Sequence, residues 1–303
     1  MKKKQIFSVI VASVLLTACS NSSEEYSAEK KEEIKVTAEI NGILTRAEQN
    51  AAALQDNAFA NGSAFRLYLT SGGSAISGTP GAGYFTVTKN NTAYTFDTPA
   101  YYPSYSTSVD AFAIYPLSVN KGQTTFSVLN DQQGDGQYKA SDLMYAYKGG
   151  NLANAGAIPL KFYHCLCKIV IQVVNSDNTP SNELDGYEVT LDDLATTIGL
   201  SFSDNKISTV DDSETDDDII NFGEYGGNGV SAIVVPQLLT PGDYFYFKYD
   251  GNTFSYWIDM PMELVGGNVY TFKLQVEKAS LSGSYSIEPW DNSDIDGELS
   301  KEN

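Results

Sequence analysis

The 303-residue chain has one histidine, two arginines, two tryptophans and three cysteines, and each shortage removes a class of chemistry. Nucleophile and base pairs normally use histidine, and the single His164 stands on an apolar stretch beside Tyr163 and Cys165. A core or rim position is expected for it. No G-x-S-x-G elbow, H-E-x-x-H pair, P-loop or dinucleotide fingerprint occurs. The 38 acids supply so many candidate carboxylate pairs that none is a signal for glycoside hydrolysis. The chain is therefore expected not to be an enzyme. Basic residues are scarce as well, 19 against those 38 acids. That balance excludes nucleic acid, whose binding depends on Lys and Arg neutralising phosphates.

Also missing is a run of about 20 apolar residues that would cross a bilayer as a helix. What stands at the N-terminus is shorter. Lys2, Lys3 and Lys4 form a basic region, Gln5 to Leu16 a mostly apolar one, and Leu16-Thr17-Ala18-Cys19 resembles the bacterial lipobox. Small Thr17 and Ala18 suit a peptidase cleft, and the Cys19 thiol is the nucleophile that takes up a diacylglyceryl group. Residues 1–18 are thus expected to be a signal peptide and Cys19 a lipid anchor. Their removal takes three of the 19 basic residues and no acid, leaving 16 against 38 and a net charge of −22. Such a charge opposes adhesion to an anionic bilayer, so the lipid is the expected anchor.

With Cys19 lipidated, only Cys165 and Cys167 remain. On one strand they would share a face about 6.6 Å apart, a poor geometry for a disulfide. A C-x-C zinc half-site would need further ligands, and His164 would face the other way. Two buried apolar residues are expected, with no metal and no cofactor.

Residues 20–33 read as a polar tether, in which Ser22-Ser23-Glu24-Glu25 resembles the acidic export tag of surface-exposed lipoproteins. Ile34 to Ile40 then alternates apolar and polar residues, a half-buried strand. Asn41-Gly42 signals a turn, and Glu48 to Phe59 is the one helical or irregular stretch. Beyond it lie period-two segments at Phe65–Leu69, Tyr84–Thr88, Val109–Tyr115, Lys168–Val174, Tyr244–Tyr249 and Tyr270–Val276. Gly, Asn, Ser and Pro clusters separate them. An all-β chain of two sandwich domains follows, with the boundary near Gly149 to Ala157. Asp211 to Asp218 is an acidic run without the EF-hand order of residues, and reads as a solvated loop.

Several segments together resemble the fimbrillin family of Bacteroides-type bacteria. They are Val109-Asp110-Ala111-Phe112-Ala113-Ile114-Tyr115-Pro116, Ser141-Asp142-Leu143-Met144-Tyr145-Ala146, and Ile158 to Ile169 with its L-x-F-x-H-x-x-x-K-I pattern. Val234-Val235-Pro236-Gln237, Gly267 to Phe272 and Ile287-Glu288-Pro289-Trp290 complete the ordered set. The resemblance implies two tandem transthyretin-like β-sandwich domains. It implies a subunit that reaches the outer-membrane surface as a lipid-anchored precursor. An arginine-specific protease would then remove the first strand, and a donor strand from another subunit would fill the groove in the assembled fimbria.

The residues fit that scheme. Arg66 sits inside a strand pattern, whereas Arg46 precedes small Ala47 in a loop-like segment, so Arg46–Ala47 is the expected cut. Ile34, Val36, Ala38 and Ile40 form the inner face of the strand to be displaced. The expected organisation is a signal peptide at 1–18, a lipidated propeptide at 19–46, an N-terminal domain at 47–157 completed by residues 34–40, and a C-terminal domain at 158–303. After Trp290 the tail has only Ile295 and Leu299 as large apolar residues, so a donor strand either includes Leu281 to Trp290 or is not supplied. The expected partners are other fimbrial subunits, the surface protease, and a host or glycan ligand.

A second reading is a permanently anchored surface lipoprotein whose sandwich modules bind glycans. It rests on Tyr101-Tyr102 with Tyr105, and on Tyr244 to Tyr249 near Trp257. Aromatic faces stack on sugar rings, but alternate aromatics also build sandwich cores.

Overall fold

The structure, a computed structural model, describes residues 31–41, 58–78, 81, 83–175, 177, 179, 188–210, 218–225, 229–249, 252–277 and 280–289. Cys19, Arg46, Ala47, Asp211 to Asp217 and Trp290 lie outside them, as does most of the Glu48–Phe59 stretch. Over the described residues the chain is all-β. Its helical pieces there are α1 (Asp135–Ser141) and a 3-10 turn at Ala153–Ala155.

Among the described residues up to 164 there are nine strands: β1 (Val36–Ile40), β2 (Ala64–Ser71), β3 (Ser74–Ala75), β4 (Phe85–Asn90), β5 (Ala93–Phe96), β6 (Val109–Tyr115), β7 (Thr125–Ser127), β8 (Met144–Asn151) and β9 (Ile158–His164). All but β7 form an 8-stranded sheet in the order β1-β9-β8-β6-β2-β4-β5, with β3 on β2. The pairing of β1 with β9 is parallel. The two outermost strands of this sheet, β1 and β5, approach one another, so the sheet curls towards closure. Tyr94 of β5 reaches across and donates its hydroxyl to the Ala38 carbonyl of β1 at 2.8 Å.

Thirteen strands follow among the described residues: β10 (Cys167–Val173), β11 (Glu188–Leu194), β12 (Thr197–Ser203), β13 (Lys206–Val210), β14 (Asp218–Asn221), β15 (Gly223–Tyr225), β16 (Gly229–Val234), β17 (Gln237–Leu239), β18 (Gly242–Tyr249), β19 (Asn252–Ile258), β20 (Met262–Leu264), β21 (Asn268–Glu277) and β22 (Ser280–Pro289). They build a sheet β15-β16-β10-β21-β22, a second β14-β11-β18-β19, a third in which β12 pairs β13 and β7, and the pair β17-β20.

Two hydrophobic clusters fill the fold. The first gathers Ile34, Val36, Ile40, Phe59, Phe65, Leu67, Val87, Ile158, Leu160 and Phe162, among others. The second includes Ile169, Ile171, Leu191, Ile233, Phe245, Phe247 and Phe272. Strand β6 serves both: Ala111, Ala113 and Tyr115 belong to the first cluster, Phe112 and Ile114 to the second. A strand covered on both faces has no polar side to present, which explains the nearly unbroken apolar run of β6.

The expected boundary between 157 and 158 does not coincide with the end of the first sheet. Strand β9 pairs with β1 and β8, and the chain leaves that sheet at Cys165–Leu166. In the other direction β7 crosses over to pair with β12. The small, polar Gly149–Ala157 stretch is the end of β8 and a tight return into β9. Gly150 and Gly156 take positive φ there, 71° and 86°, which glycine adopts without steric cost. The two cysteines also differ from expectation. Cys165 falls in the irregular step between β9 and β10, and only Cys167 is on a strand; both are buried.

The first strand and its groove, the candidate functional site

Strand β1 alternates as the sequence does. Ile34, Val36 and Ile40 are buried at 1%, 5% and 4% exposure, Ala38 is half-buried, and Lys35, Thr37 and Glu39 face solvent. Burying the large members of that face contributes about 1.5–3 kcal/mol each. Beneath them lies an aromatic floor. Phe162 of β9 packs 4.9 Å from Phe59 and 5.0 Å from Phe65 between ring centroids, and Phe59 lies 5.3 Å from Tyr115. Phe59 has no regular secondary structure, yet the Lys89 ammonium donates to its carbonyl and fixes it.

The backbone of this segment is held on two sides. Towards β9, the register runs from Val36 opposite Ile158 to Ile40 opposite Phe162. The Ile158 N–H donates to the Lys35 carbonyl at 2.8 Å, and the Asn41 N–H to the Phe162 carbonyl at 2.9 Å. On the other side, the Ile34 N–H donates to the Ala100 carbonyl at 2.8 Å and the Tyr102 N–H to the Glu32 carbonyl at 2.9 Å. A parallel strand directs the N–H and C=O of one residue to the same neighbour and those of the next residue away from it. Hence the Ala38 carbonyl points away from β9, and the Tyr94 hydroxyl satisfies it there. Residues 32–41 thus occupy a slot walled by β9 on one side and by β5 and Ala100–Tyr102 on the other.

Pro159, in the middle of β9, is compatible with this ladder. Ile158 already donates to β1, so the donor that Pro159 lacks would face the opposite neighbour. There β8 pairs with β9 only at Tyr163 and His164.

Two more motif segments meet at the far end of β9. Asp142, which caps α1, accepts a hydrogen bond from His164 Nδ1 at 2.9 Å, and both side chains are buried. The pair lies where the chain passes from one core to the other, since Met144 belongs to the first cluster and Leu143 and Leu166 to the second. Further along, Gln132 makes a reciprocal pair of bonds with the backbone of Ile233, at 2.7 and 2.8 Å. Gln237 does the same with Ala195, at 3.0 Å each way. These glutamines replace missing ladder rungs and account for the motif position at Gln237.

Of the residues expected to act, Ile34, Val36, Ala38 and Ile40 are brought together on one face as the alternation requires. Cys19, Arg46 and Ala47 lie outside the described residues. Arg66 is held inside the sheet, paired with Thr86 on one side and Ile114 on the other. Its Nε donates to the Leu117 carbonyl at 2.8 Å, and its guanidinium lies 4.1 Å from the centre of the Tyr84 ring. Tyr94 and Ala100 in the walls of the slot were not among the expected residues, and Tyr101 and Tyr102 were singled out as a glycan-stacking cluster rather than as a wall. Their signal is faint: an aromatic at Tyr94 in a short polar strand, and a Tyr-Tyr pair after a proline-bearing turn. Tyr102 is buried, its hydroxyl has no hydrogen-bond partner among the described residues, and burial, then the Glu32 charge, raises its pKa. Among the described residues no three His, Cys, Asp or Glu side chains form a metal-binding group.

A fimbrillin-like family model matches residues 45–290. The chain belongs to the fimbrillin-like family. Among solved structures, this fimbrillin-like chain is similar to a protein from Bacteroides uniformis described as a cell adhesion protein. The two are 18% identical with a TM-score of 0.61, over 86% of this chain and 99% of that one. A second, from Bacteroides ovatus and similarly described, is 14% identical with a TM-score of 0.65, over 87% and 99%. At these identities the likeness is one of fold. No curated protein matches the chain.

Proposed function

We propose that the chain is a structural or adhesive subunit of a surface fimbria, exported as a lipoprotein precursor and polymerised by strand exchange after cleavage at Arg46. The observation that carries this reading is the placement of residues 32–41. They fill a slot in the sheet, their inner face belongs to the core, and the only arginine not locked in a strand pattern follows them in sequence. A cut at Arg46–Ala47 separates that strand covalently from the rest of the sheet. Loss of the strand would leave Ile158, Leu160 and Phe162 uncovered, together with an open row of backbone groups on β9. Such an edge accepts an extended strand from another chain.

A donor is available in principle. Among the described residues strand β22 stands at the edge of its sheet and pairs with β21, and residues 283–289 of it are exposed. Leu281, Gly283, Tyr285 and Ile287 alternate there with serines and Glu288. The reading needs no catalytic residue in this chain, and it puts the lipid on Cys19 and the protease outside it.

Replacing Arg46 with alanine tests the processing step. The variant should remain lipid-anchored at full precursor length and form no polymer when expressed with its partner subunits. Normal polymers from Arg46→Ala would refute the mechanism. For the glycan-binding alternative, Trp257 and Tyr105 are each 58% exposed and Tyr101 is 44% exposed. The other aromatics cited for it divide differently: Tyr102, Tyr244, Phe245 and Phe247 are core residues.

A further inference from the structure

We propose that the slot occupied by residues 32–41 selects its strand by side-chain size, and that its narrow point is the position of Ala38. The proposal rests on the strand-exchange reading and specifies the partner. That partner is an extended peptide running parallel to β9, whose inner face presents a large, a medium, a small and a large side chain in turn.

Strand β1 is itself the example seated in the slot. The inner face of residues 34–40 reads Ile34, Val36, Ala38, Ile40, and the small third residue is the one that is only half-buried. At that residue Tyr94 crosses from the opposite wall to reach the Ala38 carbonyl at 2.8 Å. Tyr94 also packs against Phe65, ring centroids 6.0 Å apart, and Phe65 belongs to the first core cluster. Tyr94 therefore cannot swing towards the core without displacing Phe65 and, through it, Phe162, 5.0 Å away.

A single methyl group at the third position leaves the phenol room to cap the strand. A branched or aromatic side chain there must push the phenol off the carbonyl, or push into an interior packed as densely as an organic crystal. The outer positions, Lys35, Thr37 and Glu39, face solvent and impose no such limit. The ends of the slot are read through the backbone, by the Ala100 carbonyl and the Tyr102 N–H at one end and the Phe162 carbonyl at the other. So register is fixed by main-chain bonds, and size is then tested at one place.

The test uses the full chain clipped at Arg46 by an arginine-specific protease, challenged with fluorescent synthetic peptides of residues 31–41. The native peptide and one carrying Thr37→Phe should be taken up with affinities within about threefold of each other, since an exposed substitution costs little. A peptide carrying Ala38→Phe should bind about ten- to a hundredfold more weakly, and should regain most of that loss on a Tyr94→Ala acceptor. Equal binding of the native and Ala38→Phe peptides would overturn the size filter while leaving strand exchange standing. Uptake of no peptide at all, the native one included, would overturn strand exchange and the filter with it. In the unclipped chain Ala38→Phe should lower the melting temperature by several degrees and Thr37→Phe should not. Equal melting temperatures would again overturn the filter.

Discussion

Single residues in this protein carry their weight mostly through burial. Cys167 shows it most plainly: desolvation pushes its thiol far above the ordinary cysteine value. The native protein should therefore resist alkylation at Cys167 between pH 7 and 9 and react at once on unfolding, as thiol labelling in and out of denaturant would report. Because the folded thiol stays protonated where the unfolded one ionises, its contribution is complete below about pH 8.5 and is lost as pH rises beyond that. Burial likewise raises Tyr94, Tyr102 and Tyr270. Stability measured by urea unfolding should accordingly fall above about pH 8.5 and fall further near pH 10. A curve that stays flat to pH 11 would contradict this. The Asp142–His164 pair acts at the same scale. Asp142→Ala leaves a buried imidazole without its acceptor and should cost about 1–3 kcal/mol by chemical denaturation.

Among the elements, β1 has the most consequence for its length. Ile40→Ala removes a side chain 4% exposed from the first core, and should cost about 2–4 kcal/mol. Thr37→Val, on the solvent face, should change stability by less than about 0.5 kcal/mol. Unfolding curves of the two variants check the contrast directly. Much of this element was legible in the sequence, because alternation at Ile34, Val36, Ala38 and Ile40 is a local pattern with period two. Its partner was not. The pairing with β9 spans more than a hundred residues, and the Ile158-Pro159-Leu160-Lys161-Phe162 segment reads locally as a strand without saying which neighbour it takes. The course of the chain at Gly149–Ala157 was hidden for a related reason. Small and polar residues mark a chain reversal, and only the pairing of β9 shows that this reversal stays within one sheet. The double burial of β6 was likewise invisible as topology, although its unbroken apolar run was its trace.

For the molecule as a whole, the fold ties together what the sequence lists apart. A family match over residues 45–290 leaves out β1 and everything before it. The described fold nevertheless includes β1 as one strand of the 8-stranded sheet, contributing Val36 and Ile40 to the first core beside Ile34 just before it. Under the proposed function, residues 19–46 are a temporary tether and a temporary strand at once. The most direct test is the intact mass and N-terminal sequence of the protein taken from the bacterial surface. The expected outcome is an N-terminus at Ala47 with no lipid. A chain that still begins at lipidated Cys19 in assembled material would contradict it.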